Sequence, residues 1–218
     1  MSGVIKNNCL KDKNRTFRRG CLYIISAPSG AGKTTLCKAV LERFQDMHYS
    51  VSYTTRKPRK NERDGTDYYF IDKENFIKGI KAGKWAEWAE VYGSFYGTSA
   101  RILNAKLASG HDILLDIDIQ GTKQILALYP DSVTFFILPP SIDVLRRRLE
   151  TRGSENKKVI EKRLIIAEKE IAEKEIYKHI IINDELTKAI VELTSIIETY
   201  RSSCRIYDST ACKICEQT

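Results

Sequence analysis

The chain predicts an α/β fold: a P-loop parallel sheet core flanked by helices, with an inserted small mixed β subdomain and a helical lid. Three observations carry this. Four short apolar runs, Cys21–Ser26, Ile113–Ile117, Val133–Leu138 and His179–Ile182, are rich in β-branched and aromatic residues and read as buried strands. Helical patterns alternate with them, so the connections are crossovers and the strands run parallel. Between the first strand and the first helix lies SAPSGAGKTT, Ser26 to Thr35, a loop of small residues followed by one lysine and two hydroxyls.

In chain order, residues 1–19 are basic, lack an apolar stretch of signal-peptide length, and read as a flexible N-terminal arm. The main domain is expected over residues 20–201 and a disordered tail over 202–218. After the first strand, Leu36, Val40, Leu41 and Phe44 share one helix face. From Ser50 to Thr98 the rhythm changes to short, partly alternating runs (SVSYTT, DYYFI, WAEWAEV), with hairpin-like turn signals at Asp64-Gly65 and Gly93-Ser94. This is the insert, about residues 50–98. Ser141, after Pro139-Pro140, is placed to cap a helix through Leu149. Ile160, Leu164, Ala167 and Ile171 form a stripe on a long charged helix, with Glu170 and Lys174 spaced as an i,i+4 pair. A last helix is expected from Glu185 to Ser202.

The 218 residues suit one domain with small insertions, and 42 % hydrophobic content supplies a core. No apolar run approaches the ~20 residues that span a bilayer, so a cytoplasmic protein without membrane partner is expected. A net charge of +8 points to an anionic partner, either nucleic acid or nucleotide phosphate. No nucleic-acid motif appears, which favours the nucleotide. Of the six cysteines, Cys21 and Cys37 fall in apolar patterns and read as core. Cys204, Cys212 and Cys215 fall one thiol short of a closed zinc site.

A glycine-rich turn between strand and helix aims its backbone N–H groups at one point and makes an anion cradle. The residues concerned are Ala27, Pro28, Ser29, Gly30, Ala31, Gly32, Lys33, Thr34 and Thr35. They meet the pattern G-x-x-x-x-G-K-[ST] except at its first position, Ala27. Lys33 would reach the β- and γ-phosphates of ATP, and the Thr34 hydroxyl would sit on Mg²⁺. In the insert, Arg56 and Arg59 lie three apart across Pro58, a spacing suited to a dianionic phosphate, with Tyr68 and Tyr96 as further donors. Asp116 and Asp118 fall two apart at the end of an apolar strand, where alternation puts both on one face.

The segments APSGAGKTT, SVSYTTRKPR, GTDYYF, AEWAEVYGSFYGT, ILLDIDIQG, RRRLETRG and IIINDEL, in this order and spacing, resemble guanylate kinase. The resemblance covers roughly Cys21 to Arg201. It implies a P-loop core, a nucleoside-monophosphate-binding insert and a mobile lid of about residues 146–165, with the reaction ATP + GMP ⇌ ADP + GDP and dGMP as a further expected acceptor. It assigns Ser52, Glu87, Thr98 and Asp118 to the guanine, and Arg56, Arg59, Tyr68 and Tyr96 to the GMP phosphate. Thr98 departs from the serine common in the family but keeps the hydroxyl. Asp116 is given to Mg²⁺ or its waters and Asp118 to guanine and its network, although spacing alone allows the reverse. By the same resemblance, Arg148, Arg152 and Arg163 are expected to face the phosphates from the lid, and Asn183 to lie toward the adenine end. ATP and GMP are thus the expected partners of a monomer or homodimer.

Base chemistry agrees. Guanine offers adjacent N1–H and N2 amino donors, which one ionised carboxylate can accept together, and an O6 acceptor for hydroxyls. Adenine sets an acceptor against that carboxylate, and unpaired buried groups of this kind discriminate by ~10⁴–10⁵-fold. Other readings are a kinase for a different nucleoside monophosphate and a guanylate-kinase-like module that only binds proteins. The presence of Lys33, Thr34, Asp116 and the lid arginines argues against the second.

Overall fold

The computed structural model describes residues 19–91, 93–151 and 157–211. Most of the expected arm, Arg152, Cys212 and Cys215 lie outside them, as does the Cys204 side chain. In chain order the elements are β1 (Leu22–Ser26), α1 (Lys33–Arg43), β2 (His48–Tyr49), β3 (Tyr53–Thr54), β4 (Tyr69–Phe70), α2 (Lys73–Lys81), β5 (Trp85–Val91), β6 (Ser94–Ser99) and α3 (Ala100–Ala108). They continue as β7 (Ile113–Asp116), α4 (Ile119–Leu128), β8 (Val133–Leu138), α5 (Ile142–Thr151), α6 (Lys157–Ala172), β9 (His179–Ile182) and α7 (Leu186–Ala211), with a 3₁₀ turn at Lys174–Ile176.

The core sheet has five strands in the order β2-β7-β1-β8-β9, and all its pairings are parallel. Every residue of β1 is buried, as a central strand covered on both faces requires. Its alternation divides the core. Tyr23 and Ile25 join Leu36, Val40, Leu193 and Ile197 beneath α1 and α7. Leu22 and Ile24 join Leu103, Leu107 and Ile125 beneath α3 and α4. Each such aliphatic or aromatic side chain contributes ~1.5–3 kcal/mol on burial. The register sets Ile25 beside Asp116 and Ser26 beside Phe136. The carboxyl ends of β1 and β7 therefore emerge together, and the loop after β1 opens beside Asp116.

The insert is a four-stranded sheet, β4-β3-β6-β5, with α2 packed on it through Phe76. The Gly93-Ser94 signal joins β5 to β6 as an antiparallel pair. The Asp64-Gly65 signal makes no hairpin: β3 and β4 pair in parallel, and Gly65, at φ 72°, turns within the long loop between them. α5 and α6, the helices of the expected lid, pack on each other through Leu145, Leu149, Ile160, Leu164 and Ala167. Ser141 caps α5 as expected, its hydroxyl accepting from Val144 N at 3.2 Å.

Several expectations are corrected. β2, two residues long, carries no periodic signal and was missed. β7 ends at Asp116, and Asp118 is the N-cap of α4, its carboxylate accepting from Gly121 N at 2.8 Å. The acids are thus not alternate residues of one strand. The sought Glu170–Lys174 pair does not form, because α6 stops at Ala172 and Lys174 pairs with Glu175 in the 3₁₀ turn. α7 continues past Ser202 to Ala211. It is tied to the core by Arg201, which pairs with Asp46 and, at 2.9 Å, with the buried Asp112. Asp112 also accepts the Cys21 N–H at 2.8 Å. Cys37 is buried and free, and burial pushes its thiol well above the usual range.

Candidate active site

The loop after β1 bends through Gly30 and Gly32, with φ 96° and 103°. These left-handed values are cheap only for glycine. Gly32 is also the N-cap of α1, and a Cβ there would lie 2.2 Å from the Asn183 amide nitrogen. Ala27 packs at the edge of the core, Pro28 is buried, and its carbonyl accepts from Ala31 N at 3.0 Å. Lys33 opens α1 and pairs with Asp116. Burial pulls the ammonium's pKa down, but the Asp116 carboxylate outweighs it and the net shift is upward. Thr34 and Thr35 stand exposed on the first turn of α1, where helix N–H groups and dipole favour an anion.

Residues of α5, α6 and the end of β9 contact this loop. Asn183 donates through Nδ2 to Ala31 O at 2.7 Å, leaving its buried Oδ1 without a hydrogen-bond partner. Arg148 donates to Asn183 O at 2.9 Å, and Arg163 to Ser29 Oγ at 3.2 Å. Leu145 and Leu149 crowd Gly30, where a Cβ would meet them at 3.1 and 3.0 Å. A cleft of about 670 Å³ opens here, lined by Gly30, Gly32, Thr35, Arg148 and Asn183. Val144, Arg147, Thr151, Asp184 and Leu186 complete it; sequence reasoning assigned none of these five to a site. Arg146 instead bridges α5 to Glu161 on α6, consistent with a surface role.

On the other side of Lys33 lies a second cleft of about 200 Å³, lined by Lys33, Ser52, Tyr68, Glu87, Tyr96, Asp116 and Asp118. Seven residues singled out in sequence, drawn from the insert and the core, meet there. Tyr68 and Tyr96 are in edge contact at 5.8 Å between ring centroids. Arg56 lies over the Tyr68 ring at 5.4 Å. Its guanidinium is gripped by Glu62 in a two-pronged pair, NH2 to Oε1 at 2.8 Å and NH1 to Oε2 at 2.9 Å. The same Oε2 accepts the Arg59 backbone N–H at 2.8 Å, while the Arg59 residue is exposed. The hydrogen bond to Glu62 is the main cause that raises the Arg56 pKa, and it lowers that of Glu62.

Glu87, on β5, is 4 % exposed, and burial raises its carboxyl pKa to about 7. Thr98, opposite it on β6, donates its hydroxyl to Oε1 at 2.6 Å. That single proton is spent on Glu87, so donation to a base oxygen would require the bond to be given up. The other carboxylate oxygen abuts Gly121 of α4.

Four further residues near the acceptor cleft were given no site role from sequence. Glu62 was the one acid in the run RKPRKNER, a signal that could have been weighed. Gly121 closes the segment ILLDIDIQG, but neither it nor Gln124 carries a local signal of its partner, because the partners lie on β5. Glu170 was assigned to the wrong partner. It is half-buried on α6, and its carboxyl is raised to about 7 by burial, with Lys33 lowering and Asp118 raising it.

Among the described residues no group of three or more His, Cys, Asp or Glu makes a ready-made metal site. Thr34 and Asp116 offer one hydroxyl and one carboxylate beside the phosphate loop. Such a sparse set of hard oxygens fits a magnesium-like ion that keeps waters and takes its other ligands from phosphates.

Residues 19–200 match the family model described as Guanylate kinase. The chain is 50 % identical over 190 residues to the guanylate kinase of Geobacter metallireducens, covering 87 % of this chain and 93 % of that protein. It is also 50 % identical over 180 residues to that of Geobacter sulfurreducens, covering 83 % and 89 %. The crystal structure of guanylate kinase from Anaplasma phagocytophilum superposes with a TM-score of 0.71 at 34 % identity, covering 86 % of this chain and 90 % of that one.

Proposed function

The chain belongs to the guanylate kinase family, and from that premise we propose that it transfers the γ-phosphoryl group of ATP to GMP, giving ADP and GDP. The observation that carries the residue assignments is the cleft in which Lys33 and Asp116 of the core meet Ser52, Tyr68, Glu87 and Tyr96 of the insert. A phosphate-gripping loop and a carboxylate able to read guanine border one space.

In this reading, Ala27 to Thr35 hold the ATP phosphates by backbone N–H groups, and Asn183 braces the loop toward the adenine end. Lys33 neutralises charge on the moving phosphoryl group. Arg56, Arg59, Tyr68 and Tyr96 hold the acceptor phosphate. Glu87 accepts the two guanine donors, with Ser52, Thr98 and Asp118 completing the base site. Arg148, Arg152 and Arg163 approach from the lid, exclude water and stabilise transition-state charge, an effect worth ~10³–10⁵-fold when an arginine is supplied to a phosphoryl transfer. The acceptor is already a phosphate oxygen, so positioning and charge replace a general base.

A divalent cation suits this chemistry, and we assign it as Mg²⁺, held by Thr34 and Asp116. It would supply neutralisation of the phosphate oxygens when bound. The domain layout follows: a catalytic domain over about residues 20–201, with its acceptor insert near 50–98 and its lid near 146–165. A cytoplasmic location is part of the same proposal. Among the described residues no helix is long and apolar enough to cross a membrane.

A coupled ADP-release assay over GMP, dGMP, AMP, CMP and UMP tests the function. Turnover with GMP at least a hundredfold above AMP is expected from the loss of paired buried groups, ~10⁴–10⁵-fold at the limit. Preference for AMP would end the base-recognition argument.

A further inference from the structure

We propose that the first turns of α4 seat the guanine-reading carboxylate, with Gly121 a specificity-determining position and Gln124 a positioning residue. The inference rests on GMP being the acceptor. It concerns how a core helix sets the aim of Glu87, a residue of the insert.

Gly121 faces Glu87 directly. A Cβ there would lie 2.6 Å from Oε2 and 3.2 Å from Cδ, with the Ile117 Cβ at 3.4 Å on another side. Real Cβ atoms do not approach an oxygen so closely, so a side chain at 121 must push the carboxylate. The glycine is not needed for its backbone, because residue 121 lies inside α4 and its φ is outside the left-handed region. In an ordinary helix position alanine would be favoured by ~1 kcal/mol. What Gly121 provides is room. Thr98 holds Oε1 from the other side, and the two contacts fix the plane in which the carboxylate presents its oxygens.

Gln124, one turn further on, holds the strand itself. Its Oε1 accepts from Trp88 N at 3.1 Å and its Nε2 donates to Trp88 O at 2.7 Å. β5 is the edge of its sheet, paired only with β6, and edge strands carry unpaired backbone groups. The Gln124 carboxamide pairs both backbone groups of one edge residue, Trp88, as a neighbouring strand would, next to Glu87. α4 is in turn anchored to β1. The Thr122 hydroxyl donates to Asp118 O at 2.9 Å, while Ser26 Oγ lies 3.0 Å from it and the Tyr177 hydroxyl donates to it at 3.2 Å. A continuous set of contacts thus runs from the strand that launches the phosphate loop to the acid of the acceptor site.

The experiment compares wild type, Gly121→Ala and Gln124→Ala for kcat and for KM of GMP, IMP and ATP. IMP keeps N1–H and lacks the 2-amino group, so it reports whether both carboxylate oxygens are still aimed. In both variants KM for GMP should rise roughly tenfold, KM for ATP should stay within about twofold, and the preference for GMP over IMP should shrink, as expected for a site whose paired hydrogen bonds are misdirected. A double-mutant cycle isolates the route. With Glu87→Ala already present, adding Gly121→Ala should change kcat/KM for GMP by less than about twofold, because the group it displaces is gone. Equal penalties in the two backgrounds, parallel rises in both KM values, or an unchanged GMP/IMP ratio would overturn the proposal. If Gly121→Ala fails to fold, Gln124→Ala decides by the same readouts. A wild-type enzyme preferring another monophosphate would sink the acceptor reading itself, whereas a GMP-specific wild type with indifferent variants sinks only this inference.

Discussion

With Glu87 reading guanine as proposed, GMP turnover should be sensitive to pH near neutrality. Burial raises its pKa from 4.5 to about 7, and the Thr98 hydroxyl only partly offsets this. Guanine N1–H and N2–H can both be accepted only by the ionised form. With a pKa of about 7, roughly nine-tenths of free enzyme is competent one unit above and one-tenth one unit below, so kcat/KM for GMP should fall about tenfold per unit under neutrality. The same shift is a stability statement. Between the unfolded value of 4.5 and the folded value of about 7, the native state binds more protons than the unfolded one, so stability falls as pH rises through that window. The full difference, about 2.5 units, corresponds to about 3 kcal/mol, an order-of-magnitude figure. The assay is kcat/KM for GMP at saturating ATP from about pH 5.5 to about pH 8.5, paired with urea unfolding of ligand-free protein at each pH. The phosphate of GMP itself titrates near ~6, so Glu87→Gln is run alongside. That variant should lose ~10²-fold or more at pH 8, show only the phosphate's inflection, and be more stable than wild type at high pH. Matching profiles in the two proteins, or no loss of wild-type stability between acid and neutral pH, would refute the reasoning.

Glu62→Ala removes the two-pronged partner of Arg56; KM for GMP should rise roughly tenfold with KM for ATP unchanged, as charge-assisted pairs are worth ~1.5–3 kcal/mol, and steady-state kinetics checks it. Arg201→Ala removes the guanidinium from the buried Asp112 carboxylate, which keeps the Cys21 N–H. It should cost about 3 kcal/mol in denaturant unfolding while kcat at room temperature persists, because Asp112 precedes β7 at the amino ends of the strands and the phosphate loop follows the carboxyl end of β1. Lys33→Ala should abolish turnover yet leave GMP binding largely intact by calorimetry; normal turnover would contradict its role on the phosphoryl group.

Much of this protein was legible residue by residue. The strand–loop–helix at Ser26–Thr35, the β8 boundaries, the Ser141 cap and the stripe of Ile160, Leu164 and Ala167 are local. Each rests on side-chain chemistry and period within a dozen residues, which the chain states directly. The candidate site residues were legible through several short segments kept in register. Juxtaposition was not legible. Asp116 meets Lys33 because β1 lies between β7 and β8, an order that no local pattern encodes. Asp118 left its strand because capping α4 satisfies a helix N–H that alternation ignores. Glu170 does not pair with Lys174, because α6 ends at Ala172 and Lys174 pairs with Glu175 in the 3₁₀ turn instead. The Gly121 gap and the Gln124 clasp exist only where a core helix crosses the edge of the insert's sheet. Contacts between segments far apart in the chain depend on which surfaces pack together, and packing is a property of the whole fold.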